Sequence, residues 1–233
     1  MLLDTMTYDE IYREAIDDSH NMVAWASHKM KDIQRESFKA RKFPLVCVMS
    51  HTTPRRNRWT GIVIVNRKMR KAGCSHSIVY TSFHAKEGDI YIKLSPKMNG
   101  KMGMNVYTPH FFQRVRERMG IDLYGSELAY RYFRWNDAGW FCSKPDSDHE
   151  RCLCTPEGIS LGEDLNDNMF LARTFIRYDM SLGWQRDAFG ELQKRIAESE
   201  HTIVLVPDDY DKISVIKEVY KERDRSKRIV FPH

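Results

Sequence analysis

The feature that most constrains the fold is a change of hydrophobic period near Pro44. Over residues 7–41 apolar residues recur at spacings of three and four, which predicts one long amphipathic helix. Thr7 followed by Glu10 fits a capping box at the start of this helix, which should end before Pro44. From residue 45 onward the pattern changes to short β-type runs. The chain is therefore expected to combine a long helix with a sheet.

The β-type runs are separated by turn-rich loops and lie at 45–49, 60–65, 77–83, 89–94 and 103–107. Connections this short favour an antiparallel meander, because parallel strand pairs need long crossovers. Further along, the patterns predict helices at 108–119, 126–135, 179–200 and 208–223, and strands at 151–155, 158–162, 170–176 and 202–206.

These elements predict an α+β fold, with the long N-terminal helix packed on an antiparallel sheet and a helix-rich C-terminal half. A single domain over residues 1–233 is favoured, and a weakly marked boundary could divide it into 1–100 and 101–233.

The composition indicates a cytoplasmic protein. No run of about 18 apolar residues occurs, so no membrane span is predicted. The first residues lack the basic and apolar regions of a secretory signal. An odd and sparse set of cysteines favours reduced thiols over a disulfide framework: Cys47, Cys74, Cys142, Cys152 and Cys154.

Charge is distributed unevenly along the chain. Residues 37–116 hold sixteen bases and two acids, a net charge of +14, whereas the remainder carries −9. A basic block of this kind predicts a polyanionic partner, unless the acidic parts fold back and neutralise it. The densest bases lie in the two loops that flank strand 60–65, and these are the predicted nucleic-acid-binding residues: Arg55, Arg56, Arg58, Arg67, Lys68, Arg70 and Lys71.

The stretch YTPHFFQRVRER, residues 107–118, predicts an amphipathic helix with a distinct polar side. Thr108 fits the N-cap and Pro109 the first helical position. At 100° per residue the apolar face holds Phe111, Phe112, Val115 and Met119, and the opposite face holds His110, Gln113, Arg114, Glu117 and Arg118.

A histidine and two arginines along one helix face suit phosphodiester cleavage. An imidazole can transfer a proton near neutral pH, and guanidinium groups stabilise the charge that develops on phosphate. The alternative is a solvated face, on which Glu117 pairs with Arg114 and His110 has no catalytic role.

The run T-P-H-x-x-x-R-x-x-x-R-x-G-I at residues 108–121 resembles the helix of small nucleases in the barnase/EndoU/colicin/RelE-like group. The resemblance covers residues 104–177 and implies metal-independent RNA cleavage. It implies an acid/base role for His110, phosphate stabilisation by Arg114 and Arg118, and a hydrogen-bonding role for Thr174 on a late strand. Arg173 lies at the same place in the sequence, but adjacent strand residues point to opposite faces.

No cofactor and no metal site is predicted. Zinc-type ligands do occur in the order C-x6-H-x2-C-x-C, but the spacing is unfamiliar, and the favoured interpretation places Cys152 and Cys154 in the core. A metal site built from histidines is a weaker alternative: His51, His76, His84 and His110.

The leading hypothesis is a nucleic-acid-binding protein, with RNA favoured over DNA, and at its sharpest an endoribonuclease of toxin or mobile-element type. Such a protein could have a protein inhibitor or partner. The second hypothesis is a non-catalytic module that binds nucleic acid or protein, and the third is a metal-dependent hydrolase.

Overall fold

A computed structural model describes residues 1–71, 76–97, 100–136, 139–144, 147, 150–187, 190 and 228–230. The chain divides into two compact units. Unit 1 consists of Met1–Met104 and Val219–His233, and unit 2 consists of Asn105–Glu218. The boundary lies close to the subdivision near residue 100 that the sequence marked weakly.

Helix α1 (Tyr8–Lys39) dominates unit 1 and follows the predicted pattern. Thr7 Oγ1 accepts a hydrogen bond from the Glu10 N–H group, and the Glu10 carboxylate accepts one from the Thr7 N–H group, which completes the capping box. Ile11, Ala15 and Ile33 are buried along one face of the helix. The apolar stripe therefore packs into the core, as its spacing predicted.

The strands of unit 1 are β1 (Leu45–Thr52), β2 (Arg58–Val65), β3 (His76–Ala85) and β4 (Gly88–Pro96), with a short helix α2 (Arg67–Lys71) between β2 and β3. They pair antiparallel in the order β1-β2-β3-β4. Strand β10 (Arg228–Val230) adds to β1 in parallel. Ile33 of α1 packs in one cluster with Leu45, Cys47, Met49, Val63 and Val65.

Unit 2 begins within β5 (Met102–Tyr107) and continues with α3 (Pro109–Met119), α4 (Gly125–Trp135), β6 (Trp140–Ser143), β7 (Glu150–Thr155), β8 (Gly158–Asn166) and β9 (Met169–Ile176). Its strand order is β5-β9-β8-β7-β6. Helices α3 and α4 pack against one sheet face through edge-to-face aromatic contacts. These rings are Tyr107, Phe111, Tyr132, Phe133 and Phe175.

A buried ion pair fixes α4 to the β7–β8 turn. The Arg131 guanidinium donates to both carboxylate oxygens of Glu157, at 2.8 and 2.5 Å. The Asn136 side-chain amide donates to the same carboxylate at 2.8 Å, and its oxygen accepts from the Glu157 backbone N–H. Glu157 is therefore buried with its charge balanced and its oxygens bonded.

The α+β class is confirmed, as are α1, α3, α4 and the predicted strands up to residue 176. Three elements were not predicted: α2, β6 and β10. The parallel pairing of β10 makes the sheet of unit 1 mixed, where an antiparallel sheet was expected. The predicted elements at 202–206 and 208–223, and most of the helix at 179–200, lie outside the described residues. Among the helices that the structure describes, none is both long enough and apolar enough to span a membrane.

Candidate functional site

The densest bases divide into two groups at opposite ends of β2. Arg55, Arg56 and Arg58 stand at its start, and the bases of α2 follow its end. An eight-residue strand spans about 26 Å at about 3.3 Å per residue. The two groups therefore cannot form a single compact anion site.

The group before β2 is partly neutralised by acids of α1. The Arg55 guanidinium pairs with Glu14 at 2.9 Å and with Asp17 at 2.7 Å. Asn57, buried in the same loop, donates to Glu14 and to Asp18. The alternative of acidic segments folding back onto the basic block therefore applies at this end of the strand.

The group after β2 surrounds a cavity of about 600 Å³, which we name the basic cavity. Its lining residues are Ala40, Arg41, Phe43, Arg67, Arg70 and Lys71. The guanidinium carbons of Arg67 and Arg70 lie 5.9 and 5.1 Å from the centroid of the Phe43 ring. Arg67 Nη2 also donates to the Arg41 carbonyl oxygen at 3.5 Å. The side chain of Lys68 lies outside the described part of the structure.

The cations of the basic cavity lack carboxylate partners. Within the described ranges, no carboxylate oxygen lies within salt-bridge distance of Arg41, Arg67, Arg70 or Lys71. Arginine stacked on an aromatic ring keeps its edge donors available for phosphate. The cavity therefore combines donors for a phosphate with an aromatic surface for a planar group.

Sequence reasoning missed two residues of this cavity, Arg41 and Phe43. Both lie in the segment RKFP at 41–44, where an aromatic residue follows two bases directly after α1. Aromatic residues interleaved with bases are typical of nucleic-acid sites, and this signal was present in the sequence.

Helix α3 presents the predicted polar face in unit 2. Thr108 Oγ1 accepts from the Phe111 N–H at 3.1 Å, and Gly120 ends the helix with a φ of 60°. His110 is exposed, and Arg114 Nε lies 3.4 Å from its Nε2 atom. Arg114 Nη1 also donates to Glu117 at 2.8 Å. The two features that the alternatives emphasised, the His–Arg neighbours and the Arg–Glu pair, are thus both present.

Local contacts shift the pKa values of two groups on this helix. A hydrogen bond from Gln113 and one from Arg114 hold the pKa of the Glu117 carboxyl below its usual value. Burial, together with the nearby charge of Arg114, lowers the pKa of the Arg118 guanidinium. Arg118 directs its Nη1 donor to the carbonyl oxygen of Phe175 on β9, so this donor serves the packing of α3.

Thr174 lies on the other face of β9. It pairs with Leu161, which in turn pairs with Cys152, whereas Phe175 packs against α3. Because directly paired residues point to the same side of a sheet, the Thr174 side chain points away from α3. Arg173, at a register shift, pairs with Glu163 at 3.2 Å. The structure therefore brings His110 and Arg114 together and does not bring Thr174 to them.

Three cysteine thiols of unit 2 lie close together: Cys142, Cys152 and Cys154. Hydrogen bonding to Cys142 and burial raise the pKa values of both the Cys152 and the Cys154 thiols. His149, the fourth zinc-type ligand in the sequence, lies outside the described residues, as does Cys74.

The histidines proposed as a weaker metal site are engaged elsewhere where the structure describes their side chains. His51 stacks on Trp25, with 5.1 Å between ring centroids, and His84 pairs with Asp89 at 3.0 Å. The side chain of His76 lies outside the described set.

Comparisons with protein-family models, with curated proteins and with solved structures find no match.

Proposed function

We propose that this protein binds single-stranded nucleic acid, RNA in preference to DNA, through the basic cavity. The observation that carries the proposal is the arrangement of Arg41, Arg67, Arg70 and Lys71 around the Phe43 ring, without a carboxylate partner among the described residues.

The shape of the site favours a single strand over a duplex. The cavity volume of about 600 Å³ is suited to a nucleotide-sized group, and a duplex cannot insert one of its paired bases into such a concave site. An unpaired base can stack on the Phe43 ring or on an arginine plane, while its phosphate accepts hydrogen bonds from the guanidinium edges. Binding of this kind depends little on base sequence, because every base presents a flat aromatic face.

Fluorescence anisotropy with a labelled single-stranded RNA of mixed sequence tests the proposal. The combined substitution Arg67→Gln and Arg70→Gln removes two charges at the cavity while keeping most of each side-chain stem. The matched control, Arg56→Gln with Arg58→Gln, removes two exposed charges at the other end of β2.

The cavity variant should bind RNA much more weakly, and the control should retain most of its affinity. Equal losses in both variants would overturn the assignment of binding to the cavity. Single-stranded DNA, duplex RNA and a free mononucleotide serve as competitors. If the mononucleotide displaces RNA at similar concentration, the site belongs to a small phosphorylated ligand instead.

A second candidate function is metal-independent RNA cleavage at α3. The exposed His110 imidazole and the Arg114 guanidinium, 3.4 Å apart, favour it. Arg118 and Thr174 contribute less to this proposal than the sequence suggested, since their contacts lie with Phe175 and on the opposite sheet face.

Incubation of the protein with mixed RNA in the presence of a chelator tests the cleavage proposal. His110→Gln should slow cleavage by about 10²–10⁴-fold, the usual contribution of a general acid or base. His84→Gln, which changes another exposed histidine, should cleave at the wild-type rate. Intact RNA after incubation with wild-type protein would exclude the reaction.

A further inference from the structure

Three thiols of unit 2 converge on one point of the β6–β7 hairpin. Cys142 lies directly opposite Cys152 in the ladder, and Cys154 follows two residues later on the same strand. Side chains at alternate strand positions share a face. The three Sγ atoms all lie within 4.8 Å of one another, and Cys152 Sγ lies 4.0 Å from Cys154 Sγ.

This spacing fits a metal ion better than it fits a disulfide. A zinc ion with bonds of about 2.3 Å to sulfur holds tetrahedral thiolates about 3.8 Å apart, so movements of less than about 1 Å would complete the site. Cys152 and Cys154 lie on one extended strand, where Cα atoms two residues apart are separated by about 6.6 Å, near the upper limit for a disulfide. A disulfide between Cys142 and Cys152 would leave the convergence of Cys154 unexplained.

The surroundings favour a soft metal ion. Cys152 and Cys154 are fully buried in a cluster with Ile159, Ile176 and Tyr178. Thiolates in an apolar setting bind zinc and discriminate against magnesium and calcium, which prefer oxygen ligands. Cys142 is only half-buried, so an ion can reach the site from solvent on that side.

We propose that Cys142, Cys152 and Cys154 bind one Zn²⁺ ion in a structural site that ties β6 to β7. Each thiol releases its proton to solvent as its sulfur–zinc bond forms, and water or another ligand takes the fourth position. Strand β6 stands last in the strand order of unit 2 and has only four residues. A strand this short gains little from its own ladder, so a metal bond across it would stabilise the hairpin. The proposal is independent of nucleic-acid binding, which involves unit 1.

Elemental analysis of the full chain, purified without chelators, tests the proposal. The wild-type protein should carry about one equivalent of zinc. Cys142→Ser, at the half-buried position, should lose most of this zinc while its circular dichroism spectrum remains that of the wild type. Cys47→Ser is the matched control, because Cys47 is a fully buried cysteine in the core of unit 1 and should not affect zinc content.

Cobalt substitution gives a second measurement that does not depend on zinc carried through purification. Wild type and Cys47→Ser should show thiolate-to-Co²⁺ charge-transfer absorption, and Cys142→Ser should show much weaker absorption. Equal zinc content in wild type and Cys142→Ser, or no such absorption in wild type, would overturn the proposal. A Cys142–Cys152 disulfide detected by mass spectrometry in freshly purified protein would overturn it as well.

Discussion

The salt dependence of RNA binding provides a quantitative test of the basic cavity. For a single strand, the slope of log K against log salt concentration is about −0.7 for each phosphate that a cation neutralises. Four cations line the cavity, which gives a slope of about −2.8 when each neutralises one phosphate. Raising the salt from about 50 to about 200 mM should then weaken wild-type binding about 50-fold.

Removal of two charges by Arg67→Gln with Arg70→Gln should reduce the slope to about −1.4. The same salt increase should then weaken binding only about 7-fold. At about 0.1 M salt the variant should bind about 25-fold more weakly than wild type, because two counterion-release contributions are lost. The two lines should converge as the salt concentration approaches about 1 M.

Anisotropy titrations at five or more salt concentrations measure both slopes. The control Arg56→Gln with Arg58→Gln should give the wild-type slope, since those side chains stand at the other end of β2. A wild-type slope near zero would refute electrostatic binding altogether. Parallel lines for wild type and cavity variant would show that Arg67 and Arg70 do not contact phosphate.

Three further predictions use other features of the structure. Phe43→Leu should weaken RNA binding by about 1–3 kcal/mol for each base stacked on the ring while leaving the salt slope unchanged, and the same titrations measure both. Glu157→Ala should lower the free energy of unfolding by about 3–5 kcal/mol in urea denaturation, because it leaves the Arg131 guanidinium without its carboxylate, whereas Glu117→Ala on the exposed face of α3 should not. Gly162→Ala should lower the melting temperature measured by circular dichroism, because a Cβ atom would lie 1.9 Å from a backbone oxygen of β9.

Periodicity predicted most of the described fold because local signals determine these elements. The Thr7–Glu10 capping box and the stripe that includes Ile11 and Ile33 define α1 without tertiary information. Short loops then impose antiparallel neighbours along the meander. The elements missed were α2, β6 and β10, all of five residues or fewer, and such short segments depend on tertiary contacts that no local pattern reveals.

The binding residues were predicted in part because charge can be counted in a sequence but pairing cannot. Counting bases identified the region around β2 correctly as the most basic part of unit 1. It could not show that Arg55 pairs with Glu14, 41 positions away in the chain, while Arg67 and Arg70 stack on Phe43. The difference between a neutralised group and a group that remains available for phosphate arises from these long-range contacts.

The cleavage hypothesis depended on the face of β9 that Thr174 occupies, and strand alternation makes that face sensitive to a single residue. The register shift beside Thr174 pairs it with Leu161 and leaves Arg173 as an extra residue. Thr174 therefore points to the same face as Cys152, and Phe175 points toward α3. A one-residue shift reverses every such assignment, and no sequence pattern fixes the position of a bulge. Any catalysis at α3 would therefore have to proceed with His110 and Arg114 and without the hydroxyl of Thr174, which makes the histidine substitution the decisive experiment for that activity.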